Sequence, residues 1–386
     1  MKAIFNGLCL TLLLSTNVSA TVWNTSHGQL TGYGDVEFNV DAMNSPGELS
    51  SLGLNTDQTR RQDINGRILL GLDGIQHRDN RAFVGFSAQP LASLQDGMTL
   101  DDAKFFFGKT SQWKIQLGRY EAWDMFPIHQ DTFVEYAGNS ANDLYKDGSG
   151  YVYMMKEGRG RTHHGGGFQL SRYVGHMTLE LNTLIEDGTC LYADGQYHGN
   201  KLTNKKNVIY LRPVVNWTSG HFSLSLGLET NVIHDAYGYY GARHQWLDQS
   251  RRTGFGGSLG WNSLGQGNES EEAVIINLNL AGMNATDETD QSVAVNVGWH
   301  NIELGYVYAH NKIDHFNTSG TDSSGEYHIH TLHTSYRWKN ILGFENFDLY
   351  TAAYYSLLEQ QWDAMPSAPS HHEGRYGVRA RFKYYF

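Results

Sequence analysis

Apolar and polar side chains alternate with a period of two along almost the whole chain, and no window of about 11–18 residues sustains the 3.6 period of a helix. Leu30, Gly32, Gly34, Val36, Phe38 and Val40 take one parity against Thr31, Tyr33, Asp35, Glu37 and Asn39. Phe222, Leu224, Leu226 and Leu228 do the same against Ser223, Ser225, Gly227 and Glu229. Sixteen such runs are predicted as strands, near residues 29–41, 63–75, 80–89, 101–108, 113–120, 164–172, 176–187, 207–217, 221–231, 253–261, 273–282, 291–299, 301–310, 327–338, 347–357 and 374–386. Fourteen or eighteen strands remain open as alternatives. An even number fits an antiparallel barrel closed on itself, with both chain ends on one side. Short links (75–80, 108–113, 172–176, 217–221, 299–301) alternate with long polar ones (41–63, 120–164, 187–207, 231–253, 310–327, 357–374). Two links break the order: 261–273 is long where a short one is expected, and 282–291 is short where a long one is expected.

Size decides which parity faces out. A barrel of about eight strands fills its interior with side chains, whereas sixteen strands enclose too wide a lumen for that. The consistent arrangement puts the apolar parity in lipid and the polar parity around water. The expected fold class is therefore all-β, a transmembrane antiparallel β-barrel of about sixteen strands. Trp217, Trp261, Trp299, Trp338, Tyr384 and Phe386 fall at strand ends, where an interfacial girdle is expected. A secreted sandwich or solenoid would need a second sheet over its apolar faces, and no fixed-period repeat is visible.

Composition narrows the classes further. The 386 residues include 43 Gly without a period of three and an aromatic fraction of 13%, which excludes collagen-like and disordered chains. A formal charge of −11 argues against a nucleic-acid partner, which would call for a basic face. Met1-Lys2-Ala3, an apolar stretch through Leu14 and Val18-Ser19-Ala20 read as a signal peptide over 1–20. That leaves the barrel over 21–386 and Cys190 as its one thiol, so a disulfide scaffold is out. Past residue 20 no run approaches 18 consecutive apolar residues, so no membrane helix is expected.

The last strand, Tyr376-Gly377-Val378-Arg379-Ala380-Arg381-Phe382-Lys383-Tyr384-Tyr385-Phe386, resembles the assembly signal of Gram-negative outer-membrane proteins, which ends on an aromatic residue. A second stretch, Asp102-Ala103-Lys104-Phe105-Phe106-Phe107-Gly108 and then Trp113-Lys114-Ile115-Gln116-Leu117-Gly118-Arg119-Tyr120, is similar to the fourth and fifth strands of trimeric porins. In that family a Gly-Arg pair precedes a long third loop folded into the lumen, and here residues 120–164 follow. Gly165 to Glu186 resembles the next hairpin. The resemblance spans about 29–386. It implies residence in the bacterial outer membrane, contact with its lipids, delivery by the barrel-assembly machinery, Phe386 as assembly signal and a homotrimer. The third loop departs from general porins. It lacks their Pro-Glu-Phe-Gly-Gly-Asp run, reads Met125-Phe126-Pro127-Ile128-His129-Gln130-Asp131, and carries Trp123, Phe126, Phe133, Tyr136, Tyr145, Tyr151 and Tyr153. That aromatic content shifts the expectation toward carbohydrate-selective glycoporins of the raffinose type.

The inward parity combines charge with rings. Its basic members are Arg67, Arg212, Arg379, Arg381 and Lys383; strict alternation points Arg119 to lipid, so either a bulge at Gly118 turns it inward, the preferred reading, or the strand has already reached the rim there. Its acidic members include Asp35, Glu37, Asp102, Glu180, Glu229 and Glu303, and the loop adds Glu121, Asp124, Asp131, Glu135, Asp143 and Asp147. Loop carboxylates facing arginines would set a transverse field across a constriction; the blander reading is ordinary solvated charge. Sugars offer apolar CH faces to rings and hydroxyls to charged groups. Tyr33, Phe83, Phe106, Tyr210 and Tyr385 fall on the inward parity, and Trp123 and Phe126 on the loop, so these are the candidate stacking residues. Packing beneath the loop is the competing reading, stronger for Phe83 and Phe106. The favoured function is a channel for sugars or oligosaccharides, with a general diffusion porin as the alternative and an outer-membrane enzyme as a weak third, since no Gly-x-Ser-x-Gly elbow or persuasive Ser/His/Asp set is present. His328 and His330 share a strand face, but no third ligand stands at metal spacing in sequence, so neither a metal site nor a cofactor is expected.

Overall fold

A computed structural model describes residues 20–44, 61–94, 97–130, 132, 151–154, 165–192, 195–241, 243–268, 270–318, 321–364 and 370–386. Sixteen antiparallel strands close into one barrel: β1 (Gly28–Met43), β2 (Gln62–His77), β3 (Ala82–Ser93), β4 (Gly97–Lys109), β5 (Trp113–Arg119), β6 (Gly166–Val174), β7 (Met177–Asp187), β8 (Asn207–Ser219), β9 (Phe222–Asn231), β10 (Arg252–Asn262), β11 (Val274–Ala285), β12 (Glu288–Trp299), β13 (Ile302–Ile313), β14 (Gly325–Trp338), β15 (Phe347–Trp362) and β16 (His371–Tyr385). Each pairs with its sequence neighbour. All sixteen predicted runs are strands, and the even count stands.

Closure is made by β1 against β16, from Asp35 opposite Tyr385 to Met43 opposite Gly377. Below that point a short strand, Thr21–Thr25, folds back on the start of β1, with Thr21 opposite Gly32. Phe386 fills the junction between the two. Its N–H donates to the Gly34 carbonyl at 3.0 Å, and the Gly34 N–H donates to the Phe386 carbonyl at 2.8 Å. A Cβ on Gly34 would stand 2.5 Å from the Phe386 ring, so only glycine leaves room for the terminal aromatic on the outer wall. No backbone edge is left open at the seam, as a spanning barrel requires.

The apolar parity faces out. Leu226 is 55% exposed, and Ile64, Leu70, Leu228, Phe255, Leu304 and Val378 are likewise exposed on the outer wall. Trp217, Trp299, Trp338 and Tyr384 stand exposed at the end of the short turns. Inward neighbours are polar and covered: Asn182, Asn216, Ser258, Asn279 and Asn296 are buried.

The two links that broke the length order have separate explanations. The strands flanking 282–291 extend to Ala285 and from Glu288, leaving a two-residue turn. The period-two signal fades there because the outward positions Asn284, Thr289 and Gln291 are polar where the strands leave the apolar band. The long link after β10 is a built structure at the opposite rim. Asn262 Nδ2 donates to the Asn268 carbonyl at 2.7 Å, and Lys339, from the turn that follows β14, pairs with Glu271.

Parity can be tested by reciprocal substitutions. Leu226→Arg should lower barrel stability by about 2–4 kcal/mol, the cost of a cation on the lipid face near mid-depth. Arg67→Leu, the opposite change on the inner wall, should stay within about 1 kcal/mol. Denaturant titration of the barrel refolded into lipid vesicles would read both, and a tolerated Leu226→Arg would mean that the faces are wrongly assigned.

Candidate functional site

The third long loop begins where β5 ends and crosses the lumen. Inner-wall charges take hold of its backbone. The Trp123 N–H donates to Glu180 Oε1 of β7 at 3.0 Å, and the Trp123 carbonyl accepts from Arg212 Nη2 of β8 at 3.1 Å. The Trp123 indole Nε1 donates to Ser225 Oγ of β9 at 3.1 Å. Further along, the Gln130 N–H donates to Glu303 of β13, its side-chain amide reaches the Asn301 carbonyl at 2.9 Å, and Ser335 Oγ of β14 donates to Gln130 Oε1 at 2.6 Å. The Thr132 carbonyl accepts from Arg379 Nη1 of β16 at 2.6 Å. On the returning limb, Tyr153 OH donates to Glu229 Oε1 at 2.8 Å, and the Tyr153 carbonyl accepts from Ser292 of β12.

Apolar contacts complete the docking. Phe126, Tyr151, Val152 and Met154 form one cluster with Ala294, Val307, Ala309, Tyr327 and Ile329 of the wall, and Tyr151 stacks on Tyr327 at 5.0 Å between centroids. Met125 and Tyr153 pack with Val214 and Met283, against Trp123. Together the polar latches and these clusters tie the loop to the wall from β7 round to β14, and at Thr132 to β16.

This placement sorts the sequence candidates. Several were read as pore-lining but are covered. Arg212 is fully buried beneath the loop, and Phe126 is 2% exposed in the apolar cluster. Tyr210 is fully buried under the loops at the long-link end, where its OH meets Tyr237 OH at 3.4 Å among Leu184, Leu191, Tyr192 and Tyr197. Ser225 shares the inward parity but lies under Trp123. Alternation gives the face of Arg212, Tyr210 and Ser225, while the covering loops decide whether that face meets water; Phe126, on the docked loop, is turned to the wall by its apolar cluster. Arg379 is also buried, gripping Asp41 through Nε at 2.7 Å and Nη2 at 2.9 Å while it holds the loop.

A second group lies on the wall from β1 to β5 with the adjoining part of β16. Arg67 is its most exposed charge, with 36% of its side chain accessible, whereas Glu37 and Lys383 are largely covered and Arg381, read from the sequence as pore-lining, is buried between its partners. Glu37 lies 3.3 Å from Arg381 Nε and 3.2 Å from Lys383 Nζ, and Arg67 Nε stands 3.8 Å from Asp35. Arg381 also donates to Asn39 Oδ1 at 2.8 Å, and Lys383 Nζ lies 5.1 Å from the centroid of the Tyr385 ring, itself buried. Tyr33 lies over Gly71, where a Cβ would come within 2.2 Å of the ring, and accepts from Gln89 Nε2 at 2.6 Å. Phe106 lies over Gly85 in the same way and meets Phe83 at 6.3 Å between centroids. Asp124 is half-buried and accepts the Phe126 N–H at 2.8 Å. Asp131 and Glu135, and the expected signal peptide up to Ser19, lie outside the described residues.

The expected bulge at Gly118 is corrected. Pairing between β4 and β5 runs evenly through Lys104–Gly118 and Ala103–Arg119, and Gly118 instead adopts φ 117°, a conformation that favours glycine. The irregularity sits between β3 and β4, where Asp101 and Asp102 together oppose Gln89. The β5 strand ends at Arg119, whose Nε donates to the Asp101 carbonyl at 2.6 Å. A bulge places two successive residues toward one face, which brings an extra carboxylate to the inner wall.

Sequence reasoning also missed a neighbourhood on the outer wall. Register sets His310 of β13 opposite His328 of β14, with Glu326 beside them, supplying the third group that sequence spacing did not show. Cross-strand neighbours of this kind carry no linear signal.

A closed barrel with an apolar outer wall and a lumen narrowed by a docked loop defines the class: an outer-membrane β-barrel channel. The sequence matches the porin-like glycoporin RafY family over residues 32–386, and the chain belongs to that family. In structure it is similar to OmpT (in-vitro folded), an outer membrane protein of Vibrio cholerae, with a TM-score of 0.56 at 11% identity over 95% of this chain and 100% of that one. The outer-membrane expressed form of that protein gives 0.51 at 12% identity over 95% and 100%. A mutant of the Rh. blastica porin gives 0.49 at 11% identity over 92% and 100%. These likenesses concern the fold. No curated protein matches the chain in sequence.

Arg379→Met tests the loop docking. It leaves Asp41 buried without its bidentate partner and frees the Thr132 carbonyl, at a cost of about 3–5 kcal/mol. The expected outcome is a less heat-resistant barrel with noisier open-channel current in planar bilayers. Unchanged noise and stability would mean that the contact does not hold the loop.

Proposed function

We propose that this outer-membrane channel admits sugars or oligosaccharides by diffusion past a constriction between the docked loop and the wall of β1 to β5. The observation that carries the reading is the pairing of rings with charge on that wall. Tyr33 and Phe106 lie over glycines, so neither ring is propped away from the strand, and Glu37, Arg67, Arg381 and Lys383 stand nearby. Ring faces suit the CH surface of a pyranose, and paired ionic groups exchange hydrogen bonds with its hydroxyls. Membership of the glycoporin family supports the same substrate class. Trp123 and Asp124 supply the loop side of the passage, joined in this reading by Asp131 and Glu135; their carboxylates facing Arg67 and Arg381 set the transverse field. Export by the leader 1–20, delivery by the barrel-assembly machinery with Phe386 as signal, and assembly as homotrimers belong to the same proposal.

A general diffusion porin for small hydrophilic solutes is favoured by one observation: Glu37, Arg381 and Lys383 on that wall are paired with one another, and such charge pairs carry no preference for one polar solute over another. The two readings separate in a planar bilayer. A sugar channel should show saturable block of its ion current by oligosaccharides, tested across di- to hexasaccharides. Tyr33→Ala should weaken that block by about fivefold or more, the loss of one stacking face at about 1 kcal/mol. Ion conduction with no block by any member of the panel would make the general porin the better reading.

A further inference from the structure

On the outer wall, His310 and His328 face each other across β13 and β14. Their rings are parallel, with centroids 4.5 Å apart and planes inclined by 5°. His328 Nδ1 meets the Tyr308 hydroxyl at 3.0 Å, which leaves its Nε2 as the ring nitrogen for another partner. His310 Nε2 makes no hydrogen bond and stands 3.7 Å from Glu326 Oε2. One ligand atom from each of the three residues lies within 4.8 Å of the others. Tetrahedral coordination with metal–ligand bonds of about 2.0–2.2 Å needs donors about 3.4 Å apart, so the His310–Glu326 spacing is already near the required value, and the His310 ring must turn out of its parallel stack for both imidazole lone pairs to meet at the ion.

The geometry points to a site for a borderline divalent transition ion of the Zn2+ class, held by His310, His328 and Glu326 with a fourth position open to water. Two imidazoles and one carboxylate suit Zn2+, whereas Mg2+ and Ca2+ prefer oxygen donors throughout. Tyr308 acts as the outer partner that orients the His328 ring, the role such hydrogen bonds take around zinc. The site lies on the exterior, away from the lumen. His328 is ten residues along β14 from the girdle residue Trp338, about 33 Å along the strand and about 25 Å along the membrane normal at the tilt of such barrels. That is the height of the apolar band, so the ion would sit at the opposite interface, level with lipid head groups. There it clips two strands together at the foot of the 314–324 link, and it stabilises the folded barrel by mass action.

The test titrates ZnCl2 into the purified full chain in detergent, read by calorimetry and by heat resistance of the barrel. One saturable site per chain is expected, with an accompanying rise in heat resistance. His310→Asn and His328→Asn should each weaken binding at least tenfold, and Tyr308→Phe by about tenfold. His330→Asn should leave affinity unchanged, because that ring turns its Nδ1 to the Tyr306 hydroxyl at 2.8 Å and lies outside the ligand set. Excess Mg2+ should not compete. Absence of saturable binding, equal affinity in His310→Asn, or displacement by Mg2+ would overturn the assignment.

Discussion

The grip of inner-wall charges on the backbone of the third long loop is the interaction on which the rest of the lumen depends. Glu180, Arg212, Glu303 and Arg379 each bond a main-chain group of the loop, and Glu229 bonds Tyr153 on its returning limb. A segment crossing a wide barrel has many backbone donors and acceptors and few strand partners. Charged side chains supply the strongest hydrogen bonds for that purpose, and removing one would leave a buried polar group unmatched. The wall charges thus serve two ends. Those from β7 to β14 fix the loop, with Arg379 of β16 joining them, and those from β1 to β5 with the rest of β16 pair with one another along the other wall, where Arg67 is the most exposed of the charges that pair there.

That division explains how a chain with alternating faces becomes a lumen with one covered wall. Alternation builds the cylinder, because apolar residues in lipid and paired backbones leave nothing unsatisfied within the membrane. The loop then converts a wide tube into a narrow one by covering one side. Aromatic residues follow the same split. Phe126, Tyr151 and Tyr153 seal the loop against the wall, while Tyr33 and Phe106 lie over Gly71 and Gly85 on the side left half-exposed.

The barrel was legible in the sequence because its signal is periodic and repeated in every strand. Where the outward positions turn polar, as at Thr289, Gln291, Glu359 and Gln361, the strand continues and the signal fades, which is why β12 and β15 run longer than their alternation suggests. The site was legible only in part. Parity placed Tyr210, Arg212 and Ser225 on the inner face correctly, yet burial there depends on a loop that parity does not see. The bulge expected at Gly118 is absent and the one at Asp101–Asp102 has no sequence signal, since glycine marks unusual backbone without saying whether it is a bulge or a bend. Glu326 and His328 share a strand face in the sequence, but the group of three escaped because His310 joins them only through strand register.

The most direct measurement of which wall remains open is cysteine accessibility from the aqueous lumen. In a Cys190→Ser background, Arg67→Cys and Glu229→Cys would be exposed to a small charged thiol reagent while single-channel current is recorded. The account predicts stepwise block or current reduction for Arg67→Cys and none for Glu229→Cys, whose native side chain is 2% exposed beneath Tyr153. Rapid modification of Glu229→Cys with an unresponsive Arg67→Cys would place the passage on the opposite wall and contradict it.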